Sequence, residues 1–217
     1  MPGGRQYSGT QNFDGSAAAA TLTAHLVTNL ELTVAAGLVL DLHEEYPFPF
    51  GLAVLAAVPG LRLAINHLGE PRPLRAANGA PSAEWCRSIE TLAAASPTVY
   101  MKVSALSQMV PNGHSADVDP PVDVPIDPSW YEPALEAVWG AFGPRRLLFA
   151  SNWPQIEQTT HGIGAFESDF NAVRTFFEGK GRAAAAAFFA GNAKELYRWG
   201  PQQQPKATMT AAKGPRL

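Results

Sequence analysis

The reactive groups available to this 217-residue chain include five histidines, a single cysteine and a few polar residues that interrupt apolar runs. His43 closes the run from Gly37 to His43 (GLVLDLH), with Asp41 before it and Glu44 and Glu45 after it. His67 closes the run from Leu61 to His67 (LRLAINH), and Leu68-Gly69-Glu70-Pro71 follows. An imidazole at the end of such a run can bind a metal, shuttle a proton or donate a hydrogen bond to a substrate oxygen. The alternative for each is a loop or core histidine satisfied by backbone. That alternative suits His43 taken alone better than it suits His67, whose surroundings, INHLGEP, are too distinctive for a generic turn. His25 falls within a helical pattern, and His114 and His161 fall in loops, where solvated or structural roles are expected.

Lys102 is embedded in Thr98 to Ala105 (TVYMKVSA). An ammonium inside a buried strand must pair with an acid or reach a site, because leaving it unpaired there is costly. A structural ion pair and a substrate contact both remain open. Ser151, Asn152 and Trp153 end the run that starts at Arg146 (RLLFASN). Cys86 lies in the helical pattern SAEWCRSIETLAAA, where packing rather than nucleophilic chemistry is expected.

These residues gain meaning from the elements that must carry them. The four runs are bounded by Gly or Pro and rich in Val, Leu and Ile, as buried strands are. Between and around them, helical patterns cover Ser16 to Ala36, Phe48 to Ala57, Ser82 to Ala95, Pro128 to Phe142, Phe166 to Glu178 and Ala183 to Trp199, with Ser16 and Ser82 as expected N-caps. Strand and helix in alternation predict an α/β fold with a parallel sheet, either doubly wound or closed as a barrel. In both, functional side chains project from the C-terminal ends of strands. His43, His67, Lys102 and Asn152 all lie at or near such ends. The stretch from Ser107 to Asp127 reads as an extended loop suited to a lid, and Gly200 to Leu217 as a disordered tail.

Composition narrows the partners. With 46% hydrophobic residues, a formal charge of -3 and no cationic run, neither nucleic acid nor an anionic membrane is an expected partner. The first fifteen residues hold no apolar h-region, and the longest apolar stretch, near LTVAAGLVLDL, is interrupted by Glu31 and Asp41. A cytoplasmic location fits the single cysteine, which cannot form an intrachain disulfide. No Gly-rich loop follows a strand, so a nucleotide cofactor is not expected.

At this point the runs resemble a family. INHLGEP (Ile65 to Pro71) is similar to the His-x-Gly-x-Pro strand end of amidohydrolase-related proteins, a group that includes sugar-acid lactonases and pyrone dicarboxylate lactonase. TVYMKVSAL resembles their Lys-x-Ser-Gly strand, with Ala105 in place of glycine. FGPRRLLFASNWPQ (Phe142 to Gln155) and FFAGNAKELYRW (Phe188 to Trp199) resemble their last strand and closing helix, and AAGLVLDLH an earlier strand. The blocks keep the family's order from about residue 35 to 199. The resemblance implies a parallel (β/α) TIM-barrel-like fold over residues 1–199, incomplete at its N-terminus, and hydrolysis of a lactone or similar cyclic ester.

It also implies roles. His67 and Asn152 become the catalytic pair, with His43, Lys102, Glu70 and Trp153 as substrate contacts. Two departures matter. No His-x-His, the family's first pair of ligands, occurs in the sequence, and Asn152 stands where many members carry a water-activating aspartate. A carboxamide cannot take a proton as a carboxylate does, so Asn152 is expected to orient water by hydrogen bonds. A catalytic zinc site needs three protein ligands. His67 is the best candidate and His43 the next, so no tightly bound metal is expected from these residues alone, while zinc fits the full-length family context. The partner is a small-molecule substrate, and a homo-oligomer is compatible. The competing reading is a truncated, non-catalytic paralogue that binds a small molecule or a partner chain.

Overall fold

The computed structural model describes residues 22–43, 47–71, 73–75, 79–110, 127–158 and 162–199. Four strands form one sheet in the order β1 (Val39–Leu42), β2 (Arg62–Ile65), β3 (Val99–Val103) and β4 (Leu147–Phe149). Every pairing is parallel, with Leu42 opposite Ile65, Ile65 opposite Met101 and Met101 opposite Leu147. All four C-terminal ends therefore share one rim. Among the described residues the sheet is open, with β1 and β4 at its edges.

Helices α1 (Ala24–Ala35), α2 (Phe48–Ala57), α3 (Ala83–Ala95), α4 (Glu132–Phe142) and α5 (Gly162–Gly179) alternate with the strands. Period-two alternation decides what each strand face meets. Leu63, Ile65, Val99, Met101, Val103 and Leu147 join α2 to α5 in the main core, through Phe48, Trp85, Ile89, Leu92, Leu135, Val138 and Phe177. Fully burying side chains of this size contributes about 1.5–3 kcal/mol each. The helices that alternate with the strands, α2 to α5, thus share one face, as they do in a barrel. The other face carries Ala64, Tyr100 and Leu148, packed with Ala193 and Leu196 of α7 (Asn192–Leu196).

Two helix boundaries bear on the sequence reading. The first described helix is capped by Thr23, which is extended (φ -70°, ψ 148°) and whose hydroxyl accepts from the Leu26 N–H, while the expected cap Ser16 lies outside the described residues. That bond satisfies a first-turn donor of the helix. The helix expected over Ala183 to Trp199 runs unbroken as α6 (Arg182–Ala186), a π turn (Ala187–Gly191) and α7, and ends at Leu196. Asn192 Nδ2 donates to the carbonyls of Pro144 (2.9 Å) and Leu147 (2.8 Å), and the wider turn lets the helix reach them. A left-handed Arg198 (φ 52°) and the bond from Trp199 N–H to Lys194 O close it. Ser82 caps α3 as expected, accepting from the Trp85 N–H, and Cys86 is half-buried on that helix.

The start of the expected loop is also more ordered than its composition suggested. Residues Leu106–Met109 form a buried 3-10 turn. Residues 111–126, where the expected lid falls, and the tail from 200 lie outside the described residues. His114 and His161 lie outside them too. No helix among the described residues is long and apolar enough to cross a membrane.

Candidate active site

The rim is built on unusual backbone. His67, Leu68, Gly69 and Glu70 all have positive φ, at 50°, 59°, 72° and 53°. Such angles cost L-residues energy and persist only when surrounding structure enforces them. Two contacts enforce them here. The buried Trp85 indole donates to the Leu68 carbonyl at 2.9 Å. Gly69 lies over Phe48, so close that a Cβ would sit 2.4 Å from its Cζ. Only glycine fits that place. The left-handed turn swings Glu70 back over the rim instead of letting it run outward into the loop.

The result is a convergence. His43 Nε2 lies 2.9 Å from Glu70 Oε1, and the rings of His43 and His67 meet edge to face with centroids 4.8 Å apart. One ligand atom from each of His43, His67 and Glu70 lies within 4.8 Å of the others. Two imidazoles and one carboxylate are a donor set that zinc accepts in catalytic sites. His67 Nδ1 is 2.7 Å from Ser104 Oγ at the end of β3. If the ring donates that bond, Nε2 is left with its lone pair, the usual way an outer partner fixes a ligating imidazole. Burial differs across the group: the His43 side chain is 62% exposed and that of Glu70 11%. One side of the cluster therefore opens to solvent while the carboxylate is held from below.

The other expected site residues take separate positions on the same half-barrel. Asn152 follows β4 in the left-handed region (φ 55°), which asparagine tolerates, and its Nδ2 donates to Gln108 Oε1 at 3.3 Å. His67 and Asn152 thus share the rim, each tied to the segment after β3, through Ser104 and Gln108 respectively. Trp153 is 68% exposed, with a cis peptide to Pro154. Lys102 points to the opposite sheet face from the main core, where its Nζ is 3.0 Å from Asp41 Oδ2 and Tyr197 donates to the same carboxylate at 2.9 Å. Burial acts to lower the Lys102 pKa, but Tyr197 and Asp41 outweigh it and the net shift is upward. Lys102 is a paired cation.

Sequence reasoning placed Glu70 with substrate contacts and did not unite it with the histidines. The signal lay in Gly69, whose position requires a backbone that turns the next residue back. Gln108 and Asp169 were missed altogether. Asp169, on α5, accepts from the Ser107 N–H at 2.8 Å and is almost fully buried; burial lifts its carboxyl from 3.8 to about 7, against the pull of the Ser107 and Leu106 backbone. Neither residue carries a motif, and both are recognisable only once α5 is packed beneath the β3 loop.

Parallel strands, helices on the outer face and ionisable groups gathered at the C-terminal strand ends define the (β/α)-barrel class of enzyme fold. Within that class the chain belongs to the amidohydrolase family, whose sequence model matches residues 10–199. It is 28% identical over 167 residues to an L-rhamnono-gamma-lactonase of Scheffersomyces stipitis, a match covering 72% of this chain and 48% of the lactonase. The fold is similar to the crystal structure of an amidohydrolase from Burkholderia multivorans with bound zinc, with a TM-score of 0.65, 26% identity, and 81% and 58% of the two chains covered. It is also similar to a Pseudomonas putida structure described as a 2-pyrone-4,6-dicarboxylic acid hydrolase, with a TM-score of 0.56, 22% identity, and 81% and 57% covered. The chain spans about half the length of the curated relative it matches.

Proposed function

We propose that this chain carries the catalytic rim of a lactonase-like hydrolase, with a sugar-acid lactone or similar cyclic ester as substrate. The observation that carries the reading is the convergence of His43, His67 and Glu70 on one rim of a parallel sheet. Kinship supports it: the relative at 28% identity is an L-rhamnono-gamma-lactonase, and the Burkholderia multivorans neighbour at 26% identity holds zinc.

His43, His67 and Glu70 would hold a divalent metal such as zinc, with Ser104 orienting His67 from behind. A metal bound there supplies Lewis acidity toward a carbonyl oxygen and lowers the pKa of water. The chain's own residues do the rest. Asn152 is neutral at ordinary pH, so it orients water or substrate rather than taking a proton. Trp153, largely exposed beside it, offers an apolar face to a sugar ring. Lys102, already engaged by Asp41, acts as electrostatic support beneath the rim. Lactone hydrolysis adds water to the ring carbonyl, breaks the ring C–O bond and leaves a hydroxy acid, so each turnover near neutral pH releases one proton.

Proton release from a panel of sugar-acid lactones tests the reading. The chain supplemented with zinc should open at least one of them, a chelator should stop it, and His67→Ala should be inactive while still folded. A folded, zinc-supplemented chain that opens none of them, or a His67→Ala chain as active as the original, overturns the proposal.

A further inference from the structure

Beneath the rim, away from the three putting their donors together, lies a second polar group that the chemistry above does not use. Gln108 and Asp169 are both buried, at 6% and 6% exposure. Gln108 Oε1 accepts from Asn152 Nδ2, while Gln108 Nε2 has no hydrogen-bond partner among the described residues. Polar atoms buried this way are costly, so a fold that keeps them gains something else from their placement.

The geometry points to Gln108 as the positioning residue for Asn152. It holds the carboxamide by its NH2 group and leaves Oδ1 as the acceptor presented at the rim. A solvent-facing asparagine would rotate between two amide orientations, presenting a donor half the time and an acceptor the other half. The bond to Gln108 couples the two amides, and with Gln108 Oε1 facing Asn152 the orientation that leaves Oδ1 for the rim is favoured. The place of Gln108 is fixed by the 3-10 turn Leu106–Met109, which is pinned at both ends: Asp169 Oδ1 accepts from Ser107 N–H at 2.8 Å, and Met109 O accepts from Leu74 N–H at 2.7 Å. Leu74 belongs to the segment after β2, and Asp169 to α5, so the turn joins the β2 loop to the helix behind β4. That platform fixes the backbone from which Gln108 reaches Asn152. The functional consequence, an acceptor aimed at an attacking water, rests on the lactonase reading; the orientation itself does not.

Nuclear magnetic resonance of the full 15N-labelled chain separates the two. The Asn152 side-chain amide is assigned by its disappearance in Asn152→Asp. In the unmodified chain its protons should show contacts to the Gln108 side chain and exchange about tenfold more slowly than exposed asparagines. In Gln108→Met, which keeps the shape and removes the acceptor, the resonance should move toward the exposed range and exchange should speed up. Absence of Gln108 contacts in the unmodified chain overturns the proposal whether or not the variant folds, and so does an unaltered Asn152 resonance in folded Gln108→Met. On any lactone the chain opens, Gln108→Met should lower kcat about tenfold with KM little changed. A lactone panel with no turnover alongside the expected spectra sinks the lactonase reading and leaves the positioning intact.

Discussion

His43 Nε2 and Glu70 Oε1 are 2.9 Å apart although one residue follows β1 and the other lies beyond the turn that follows β2. The parallel register places the two strand ends side by side, with Leu42 opposite Ile65, and the left-handed turn covers the remaining distance. Sheet and turn together gather the carboxylate and both imidazoles.

That gathering predicts metal affinity in the chain itself. Titration with zinc followed by calorimetry should give one site per chain. Glu70→Gln replaces an anionic oxygen donor with a neutral one and should weaken binding by more than about tenfold. Ser104→Ala leaves all three donors and removes the partner of His67 Nδ1, so a loss of about 10–100-fold is expected, as for other outer partners of ligating histidines. Unchanged affinity in Glu70→Gln would show that the carboxylate is a structural partner of His43 only.

The turn that makes the gathering possible should be fragile. Trp85→Phe keeps the apolar bulk but leaves the buried Leu68 carbonyl without its donor, at a cost of about 1–3 kcal/mol. Gly69→Ala combines a positive φ with a Cβ 2.4 Å from the Phe48 ring, and its loss should be at least as large. Urea unfolding of both variants checks this. Unfolding midpoints equal to that of the original chain would mean the turn is held by something other than these two contacts.

Much of this architecture could be read from residue order. The four apolar runs became four parallel strands because Val, Leu and Ile between Gly and Pro breakers leave little other choice, and Ser82 announced its helix as an N-cap does. His43, His67 and Asn152 were singled out because strand ends are where a parallel sheet exposes functional groups, and all three do follow strand ends. What stayed hidden depended on contacts across the fold. Glu70 joined the histidines through a backbone reversal that a pattern of apolar residues does not encode. Lys102 found Asp41 two strands away and Tyr197 from the last helix, a pairing that no local spacing announces. The Thr23 cap was not singled out because capping is settled by one side-chain bond, which neighbouring serines and threonines all offer on paper.

Asp169 should leave a mark on the pH dependence of stability. Burial raises its carboxyl from 3.8 to about 7, so the folded chain holds that proton more tightly than the unfolded chain. The stabilisation from this group is complete below the unfolded value and is lost as pH climbs through about 7. Asp169→Asn keeps an acceptor for the Ser107 N–H and cannot ionise. Its unfolding free energy should therefore fall less than that of the original chain between mildly acidic and mildly alkaline pH. Parallel stability curves for the two proteins across that window would rule out a raised carboxyl.

The sharpest test of Asn152 is to give it the charge it lacks. Asn152→Asp changes the shape little, and aspartate tolerates the left-handed backbone (φ 55°) about as asparagine does. The new carboxylate would face Gln108 Oε1, an acceptor, which is unfavourable as the pair now stands. Gln108 Nε2, however, has no partner among the described residues, and rotating the glutamine amide would turn that donor onto the carboxylate. The substitution should therefore be tolerated, within about 1 kcal/mol in stability. A carboxylate at the rim can accept a proton from attacking water, which the carboxamide cannot, and positioned general bases contribute about 10²–10⁴-fold. On a lactone that the original chain opens slowly, kcat should rise toward the lower end of that range. It should also acquire a dependence on an ionising group in the acid limb of its pH profile. A folded Asn152→Asp chain with unchanged or lower kcat would place the water-activating group elsewhere on the rim and reduce Asn152 to a structural cap on β4.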